Sequence, residues 1–199
     1  LLELLAREGY DADWDILDAA DFGVPQHRKR LVLLAGRGFR IPIPAKTHAR
    51  NGAGGLLPWT TVRSAIEGAG TPVHLDEAHR KGGPRVVNWN VIRRLSPRNQ
   101  ARLRSARPGA SWTSIPKRLR PACHKDRSAG FKNVYGRLHW DQPSDTITGG
   151  CTTLSKGRFG HPSEERALSV REAALLQTFP PDYIFDCNKI DRVCEMIGN

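Results

Sequence analysis

The chain has 199 residues, 39% of them hydrophobic and 26% charged, and its 31 Lys and Arg against 20 Asp and Glu give a net charge of +11. This composition is typical of a folded globular protein and excludes an extended disordered chain. No apolar run approaches the ~20 residues that a membrane helix needs, so we expect no membrane association. Four cysteines without a close pair do not form a disulfide scaffold, which favours a reducing, cytoplasmic compartment.

The excess positive charge lies in one block of the chain. Residues 80–132 contain 15 Lys and Arg and a single acidic residue, Asp126, whereas the rest of the chain has 16 basic and 19 acidic residues. Such a block is typical of a protein that neutralises phosphates and releases their counterions. The alternative is a solvated basic face with no ligand. Trp89 and Trp112 lie inside the block, so we expect it to be folded.

The first predicted elements are a helix tail and two strands. Residues 1–5 form an apolar face that Gly9 ends, as expected for the end of a helix. Residues 14–17 resemble a short strand, and the continuous apolar run at 31–36 predicts a buried strand. A polar loop connects the two strands. Residues 42–83 are rich in Gly and Pro and predict loops with one short helix at 62–67.

The second half of the chain contains two helices with clear start signals. Ser96 followed by proline predicts a helix that runs to about residue 107. Ser169 and Glu172 form a capping box at the start of another helix, which a Pro-Pro pair ends at residue 180. Between these helices, residues 146–148 predict a strand that two glycines end.

Three segments, in this order, resemble motifs of the DNA (cytosine-5) methyltransferase family. Residues 23–30, GVPQHRKR, are similar to its Gln-x-Arg-x-Arg motif. Residues 135–148, YGRLHWDQPSDTIT, are similar to the motif that closes its target-recognition region. Residues 157–183 together with 197–199 resemble its last motif. These segments frame almost the whole chain, and three motifs in the family's order are far more specific than one.

The resemblance implies an α/β fold: the C-terminal part of a doubly wound methyltransferase domain with a small, irregular target-recognition domain. Residues 1–43 would be the last strands of the large domain, 44–160 the recognition domain, and 161–199 a segment that returns to the large domain. The implied reaction transfers a methyl group from S-adenosyl-L-methionine to carbon 5 of a flipped cytosine in double-stranded DNA. The implied setting is bacterial or phage-like restriction-modification, with the protein associated with the nucleoid.

Two parts of the family's catalytic machinery are absent from the sequence. The family attacks cytosine with a cysteine in a Pro-Cys pair, and none of the four cysteines here follows a proline. The family's main cofactor-binding loop is also missing. Since the chain starts at Leu1 and ends at Asn199 within recognisable patterns, we expect a piece of a longer protein that is inactive alone. Its N-terminal catalytic part would lie in the same or a second chain.

Two other functions stay open. One is a non-catalytic DNA-binding subunit of a split methyltransferase. The other is a tRNA-acting relative, which is less favoured because its Cys-Phe-Thr signature is absent.

The resemblance assigns roles in the Gln-x-Arg-x-Arg loop and at the end of the chain. Arg30 would contact the oxygen of the flipped cytosine, where a hydrogen-bond donor stabilises negative charge on the ring. Arg28 and Gln26 would hold the loop and a nearby phosphate. The alternative is a charged hairpin at a sheet edge. Asn199 would line the cofactor pocket, unless it is an end residue with no role.

The recognition region supplies the remaining candidates. An arginine can read guanine with two hydrogen bonds, threonine hydroxyls suit phosphate, and glycines permit close approach of the backbone to DNA. The predicted DNA-binding residues are Arg137, Thr146, Thr148, Gly149 and Gly150. The alternatives are strand propensity for the threonines and a simple turn for the glycines.

The cysteine spacings match no standard zinc site. Cys123 beside His124, and Cys187 near Cys194, therefore predict free thiols and no metal centre.

Overall fold

The computed structural model describes residues 1–125 and 131–199. The acidic residue of the basic block, Asp126, lies outside the described residues. Within them, no helix is long and apolar enough to cross a membrane.

The chain begins with a helix and a long hairpin. Helix α1 (Leu2–Arg7) leads through Gly9, which has a φ of 80°, into strand β1 (Tyr10–Asp18). Strand β1 pairs antiparallel with β2 (Lys29–Arg37). The helix tail and both strands are therefore confirmed.

The predicted burial of the second strand is wrong. Leu31 is 64% exposed, and on β1 Trp14 and Ile16 are 50% and 58% exposed. Ile16 pairs with Leu31 and Trp14 with Leu33, and cross-strand partners lie on the same face of a sheet. The hairpin therefore carries an apolar face that the described elements leave uncovered.

Short helices and two-residue strands form the middle of the chain. The helices are α2 (Val62–Ile66), α3 (Leu75–Arg80) and α4 (Pro97–Ser105). The strands pair in parallel, β3 (His48–Ala49) with β4 (Leu57–Pro58) and β5 (Val73–His74) with β6 (Val91–Ile92). Helices α2 and α4 and the Ser96 cap confirm the sequence prediction, whereas α3 was not predicted.

The predicted strand at 146–148 is wrong. Residues 146–148 belong to no strand, and the backbone of Ile147 bonds to side chains of the loop before β2. The Ile147 N–H donates to Gln26 Oε1 at 2.8 Å, and the Ile147 carbonyl accepts from Arg28. A single bridge between Gln26 and Ser144 joins the two segments.

Two helices complete the chain and share the main core. Helix α5 (Val170–Leu176) has the predicted capping box of Ser169 and Glu172, and α6 (Ile190–Gly198) follows. The core draws its members from both predicted domains; its large side chains include Trp89, Ile147, Phe159, Leu168, Phe185 and Ile197. The segments 44–160 and 161–199 thus pack around one common core.

A buried ion pair lies beside the start of α5. Arg166 donates to both carboxylate oxygens of Glu172, at 2.7 and 2.8 Å, and Glu172 is 1% exposed. The same carboxylate accepts the Ser169 backbone N–H at 2.7 Å. Removing one partner of such a pair leaves a buried charge, which is more costly than losing a surface pair.

We expect Glu172→Gln to lower the free energy of unfolding by about 2 kcal/mol, because Arg166 loses its buried counter-charge and keeps only the half-exposed Glu164 carboxylate, at 2.9 Å. The control is Glu165→Gln, which breaks the pair with Arg104 at a site where Glu165 is 42% exposed; its effect should stay under ~1 kcal/mol. Urea unfolding of both variants measures the difference. Equal effects would show that burial of the Glu172 pair carries no special weight.

His161 lies next to this pair, 3.9 Å from Glu172 and 3.5 Å from Glu164. Its Nδ1 accepts the Glu164 backbone N–H at 3.0 Å. Burial, together with the nearby Arg166 cation, lowers the pKa of His161 below its ordinary value of 6.5. The unfolded chain therefore binds this proton more readily than the folded protein.

It follows that His161 contributes stability fully above pH 6.5 and loses that contribution as the pH falls towards its lowered pKa. The variant His161→Asn, which cannot titrate, should lack this component. We expect the difference in unfolding free energy between wild type and variant to shrink between pH 8 and pH 5. A difference that stays constant over this range would refute the assignment.

Candidate functional site

The loop before β2 is anchored by a buried glutamine. Gln26 is fully buried, and its Nε2 donates to Gln177 Oε1 at 2.8 Å and to the Leu176 carbonyl at 3.4 Å. Its Oε1 accepts from the Ile147 N–H at 2.8 Å. One side chain thus joins the loop to the end of α5 and to the extended segment at 146–148.

Gln177 extends this connection to the last helix. Its Nε2 donates to the Ile197 carbonyl at 2.7 Å, while its Oε1 accepts from Gln26. Sequence reasoning did not assign Gln177 a role. The available signal was a polar amide directly after the apolar helix α5, inside the last motif.

Arg28 binds the end of α6. Its guanidinium lies 3.4 Å from the carbonyl oxygens of Ile147, Gly198 and Asn199. Burial, and to a lesser degree the nearby Arg30 cation, lowers the pKa of Arg28. A cation is favourable at this position, because the carbonyl end of a helix carries partial negative charge.

Arg30 has a different environment. It is exposed, and within the described residues its guanidinium bonds only to the Lys29 carbonyl, at 2.7 Å. Arg28 directly precedes β2 and Arg30 is the second residue of that strand, and the Arg30 cation is near enough to contribute to the lowered pKa of Arg28. The remaining donors of Arg30 are available to a ligand.

Asn199 is likewise exposed, and its side chain makes no hydrogen bond to another described residue. Its carbonyl binds Arg28. The structure therefore brings together Gln26, Arg28 and Asn199, with Arg30 two residues along the strand.

The residues around 146–150 face mainly protein. Thr146 Oγ1 donates to the His27 carbonyl at 2.8 Å, whereas Thr148 is exposed. A Cβ added at Gly149 would lie 3.3 Å from Glu195 Cα on α6, and one at Gly150 would lie 2.7 Å from Lys156 Cβ. The absence of a Cβ at these two glycines therefore lets other segments of the same chain, at Glu195 and Lys156, pack closely against them. It does not open a surface to a ligand.

The position of Arg137 does not fit base reading. The residue is 6% exposed, and it donates to the carbonyls of Leu103, His161 and Glu164 at 2.8, 2.9 and 2.6 Å. These bonds join α4 to the loop before α5. The guanidinium therefore offers no free pair of donors to a guanine.

The basic block is partly neutralised within the protein. Six of its cations pair with acidic residues outside the block: Arg80, Lys81, Arg85, Arg93, Arg94 and Arg104. Two more, Arg102 and Arg120, bond to backbone carbonyls and lie over aromatic rings. The net charge counted from sequence therefore overstates the positive charge that a ligand meets.

The cysteines are free thiols in the structure: Cys123 is exposed, Cys187 half-buried, and Cys151 and Cys194 buried. Among the described residues, no group of three or more potential ligands is arranged to hold a metal ion.

Comparison with known proteins identifies the family. Residues 1–199 match the family model of C-5 cytosine-specific DNA methylases. The type II methylase M.HgiDII of Herpetosiphon aurantiacus is 36% identical, and the alignment covers 100% of this chain and 54% of that protein. The type II methyltransferase M1.HphI of Haemophilus parahaemolyticus is 30% identical over 100% of this chain and 46% of that protein.

A solved structure supports the fold alone. The crystal structure of a prophage-encoded DNA modification methyltransferase of E. coli superposes with a TM-score of 0.60 at 18% identity, covering 100% of this chain and 58% of that chain. The chain spans about half the length of the curated relatives it matches. C-5 DNA methyltransferases use S-adenosyl-L-methionine as the methyl donor.

The contacts of the loop predict a clear difference between two of its residues. Gln26→Leu should lower the free energy of unfolding by about 3 kcal/mol, because it leaves the buried Ile147 N–H and the Gln177 amide without their partner. Arg30→Ala, at an exposed position at the start of β2, should change the free energy of unfolding by less than ~0.5 kcal/mol. Urea unfolding measures both. A comparable loss in Arg30→Ala would contradict its placement as a free side chain.

Proposed function

We propose, from the premise that this chain belongs to the C-5 cytosine-specific DNA methylase family, that it is the C-terminal part of a DNA (cytosine-5) methyltransferase. The complete enzyme transfers a methyl group to carbon 5 of a flipped cytosine in a specific duplex sequence. This part supplies DNA recognition and the arginine loop, and the thiolate nucleophile comes from outside it.

The observation that carries this proposal is the clamp of Arg28 on the end of α6. Its bonds to the Gly198 and Asn199 carbonyls fix the chain end beside the loop that bears Arg30. Because Arg28 contacts Asn199 and precedes Arg30 by two residues, this clamp supports the proposal that a charge-stabilising donor and a side chain for the cofactor lie near each other. A transferase that joins a base to a methyl donor needs this proximity.

The chemistry gives Arg30 its role. Addition of a thiolate to carbon 6 of cytosine places negative charge on the ring, and a charged donor at the ring oxygen stabilises it. Arg30 is exposed and holds donors free of protein partners within the described residues, whereas the donors of Arg28 face carbonyls. Arg30 therefore acts at the base, and Arg28 positions the loop.

The residues present fit one corner of a cofactor pocket. The exposed Asn199 amide has no bond to another described residue, so it is free to contact S-adenosyl-L-methionine, which supplies the methyl group when bound. Arg28 bonds to the backbone carbonyl of Asn199 at 3.4 Å, which holds this residue beside the arginine loop.

The uncovered face of the hairpin suits the missing catalytic part. Trp14, Ile16 and Leu31 are each at least half exposed, and contiguous apolar side chains of this size are normally covered by a partner. The curated relatives are about twice as long as this chain. The upstream catalytic part, in the same chain or as a second subunit, would cover this face.

The test uses the complete methylase that contains this chain. Arg30→Ala should slow single-turnover methylation about a hundredfold, which corresponds to ~3 kcal/mol, with little loss of DNA affinity. Arg37→Ala, an exposed arginine further along β2, is the matched control and should turn over normally. The 199-residue chain alone should transfer no methyl group from labelled S-adenosyl-L-methionine. Normal turnover by Arg30→Ala on saturating DNA would overturn the role of Arg30 at the base. Methylation by the chain alone would overturn the proposal that the nucleophile comes from outside it.

A further inference from the structure

A cleft of about 520 Å³ lies beside the arginine loop. His27 lines it, although the side chains of Gln26 and Arg28 on either side point into the protein. Four further polar residues line it: Arg50, Asn51, Thr61 and Gln142. Its size is that of a site for a small ligand or for one unit of a polymer.

The cleft gathers donors that the fold does not use. Within residues 1–125 and 131–199, the side chains of Arg50, Asn51 and Gln142 form no hydrogen bond or ion pair. Convergent polar groups without protein partners at one cavity are typical of a binding site. A guanidinium and two amides together favour an anionic oxygen ligand.

The walls of the cleft are rigid. His27 Nδ1 lies 3.0 Å from Asp18 Oδ2, and the imidazole packs edge-on against Trp59 at 4.8 Å. The Trp59 indole N–H donates to Asp21 at 2.9 Å. Since Asp18 occupies Nδ1, Nε2 is the ring nitrogen that remains for a ligand.

Arg50 is held at the rim by backbone pairing. The short parallel pair of β3 with β4 closes the loop at 50–55, and the Trp59 N–H donates to the Ala49 carbonyl at 3.1 Å. Gly52, with a φ of 72°, permits the tight return that this closure requires. The loop therefore fixes the start of the Arg50 side chain relative to Trp59.

The charge of the cleft favours a phosphate. The acidic residue in its lining, Asp141, is paired at 2.9 Å with Arg63, which also pairs with Glu67. Among the described residues that line the cleft, Arg50 is the cation without an acidic partner. Arg28, which the sequence suggested for a phosphate, has its guanidinium against three carbonyls. A phosphate would therefore bind in the cleft lined by His27 and Arg50, and not at Arg28.

We infer that this cleft binds a backbone phosphate of DNA, with Arg50 as the charged ligand and the Asn51 and Gln142 amides as supporting donors. The inference rests on the proposed function, because the polyanion is the DNA whose target base reaches Arg30. One phosphate held one residue away from Arg28 would fix the DNA strand relative to the arginine loop.

The test measures binding of a 20-base-pair duplex by the complete methylase that contains this chain, between 50 and 200 mM salt. Arg50→Ala should weaken binding several-fold at 50 mM and reduce the slope of log K against log salt by about 1. Arg50→Lys should keep the slope, since it keeps the charge. Arg37→Ala, which removes an exposed charge on β2, is the control and should bind like wild type.

The outcomes separate the two proposals. An unchanged slope for Arg50→Ala, with wild type still bound, overturns the phosphate site and leaves the methyltransferase proposal standing. A reduced slope, in a complete protein that fails to methylate cytosine, supports the site and overturns the methyltransferase proposal. Wild type that does not bind DNA overturns the site. Thermal unfolding should show equal midpoints for wild type and Arg50→Ala, because Arg50 is exposed and unbonded within the described residues.

Discussion

The amide of Gln26 is the interaction on which the arrangement of the site depends. It is fully buried, and it bonds to segments 121 and 151 residues away in sequence. An unpaired amide in this position would cost free energy, so the loop, the segment at 146–148 and the end of α5 are stable only together. Gln177 extends the same set of bonds to α6. Placement of Arg28 and Asn199 follows from this junction.

Many arginines in this chain bind groups of the protein itself. The net charge of the chain is therefore larger than the charge that remains to bind a ligand. Arg137 and Arg171 donate to several backbone carbonyls each, and Arg166 forms a buried ion pair. A guanidinium has five donors in one plane, so it can satisfy carbonyl groups at loop junctions where regular strands are lacking. The described residues form three two-stranded sheets. Arginine bonds to backbone carbonyls therefore replace part of the hydrogen bonding that larger sheets provide.

The sequence predicts the local elements well and the long-range bonds poorly. The caps at Ser96 and Ser169 depend on residues three positions away, so their signals are complete within a short window. The burial of Leu31 depends on what covers the hairpin. The failure of the strand at 146–148 depends on Gln26, which is distant in sequence. Arg137 has the same side chain whether it reads a base or binds carbonyls, so only its surroundings distinguish the two.

The glycines at the end of the chain show how packing couples the two sides of the site. A Cβ on Gly198 would lie 2.0 Å from the Gly149 nitrogen and 2.3 Å from the Thr148 carbonyl carbon. Such contacts are impossible without a shift of backbone, so α6 and the turn at 149–150 are in direct backbone contact. Arg28 binds carbonyls on both of these segments, at Ile147 and at Gly198. A displacement of α6 would therefore move the arginine loop as well. On the proposed assignment of Asn199 to the cofactor and Arg30 to the base, these contacts would link cofactor binding to the position of Arg30.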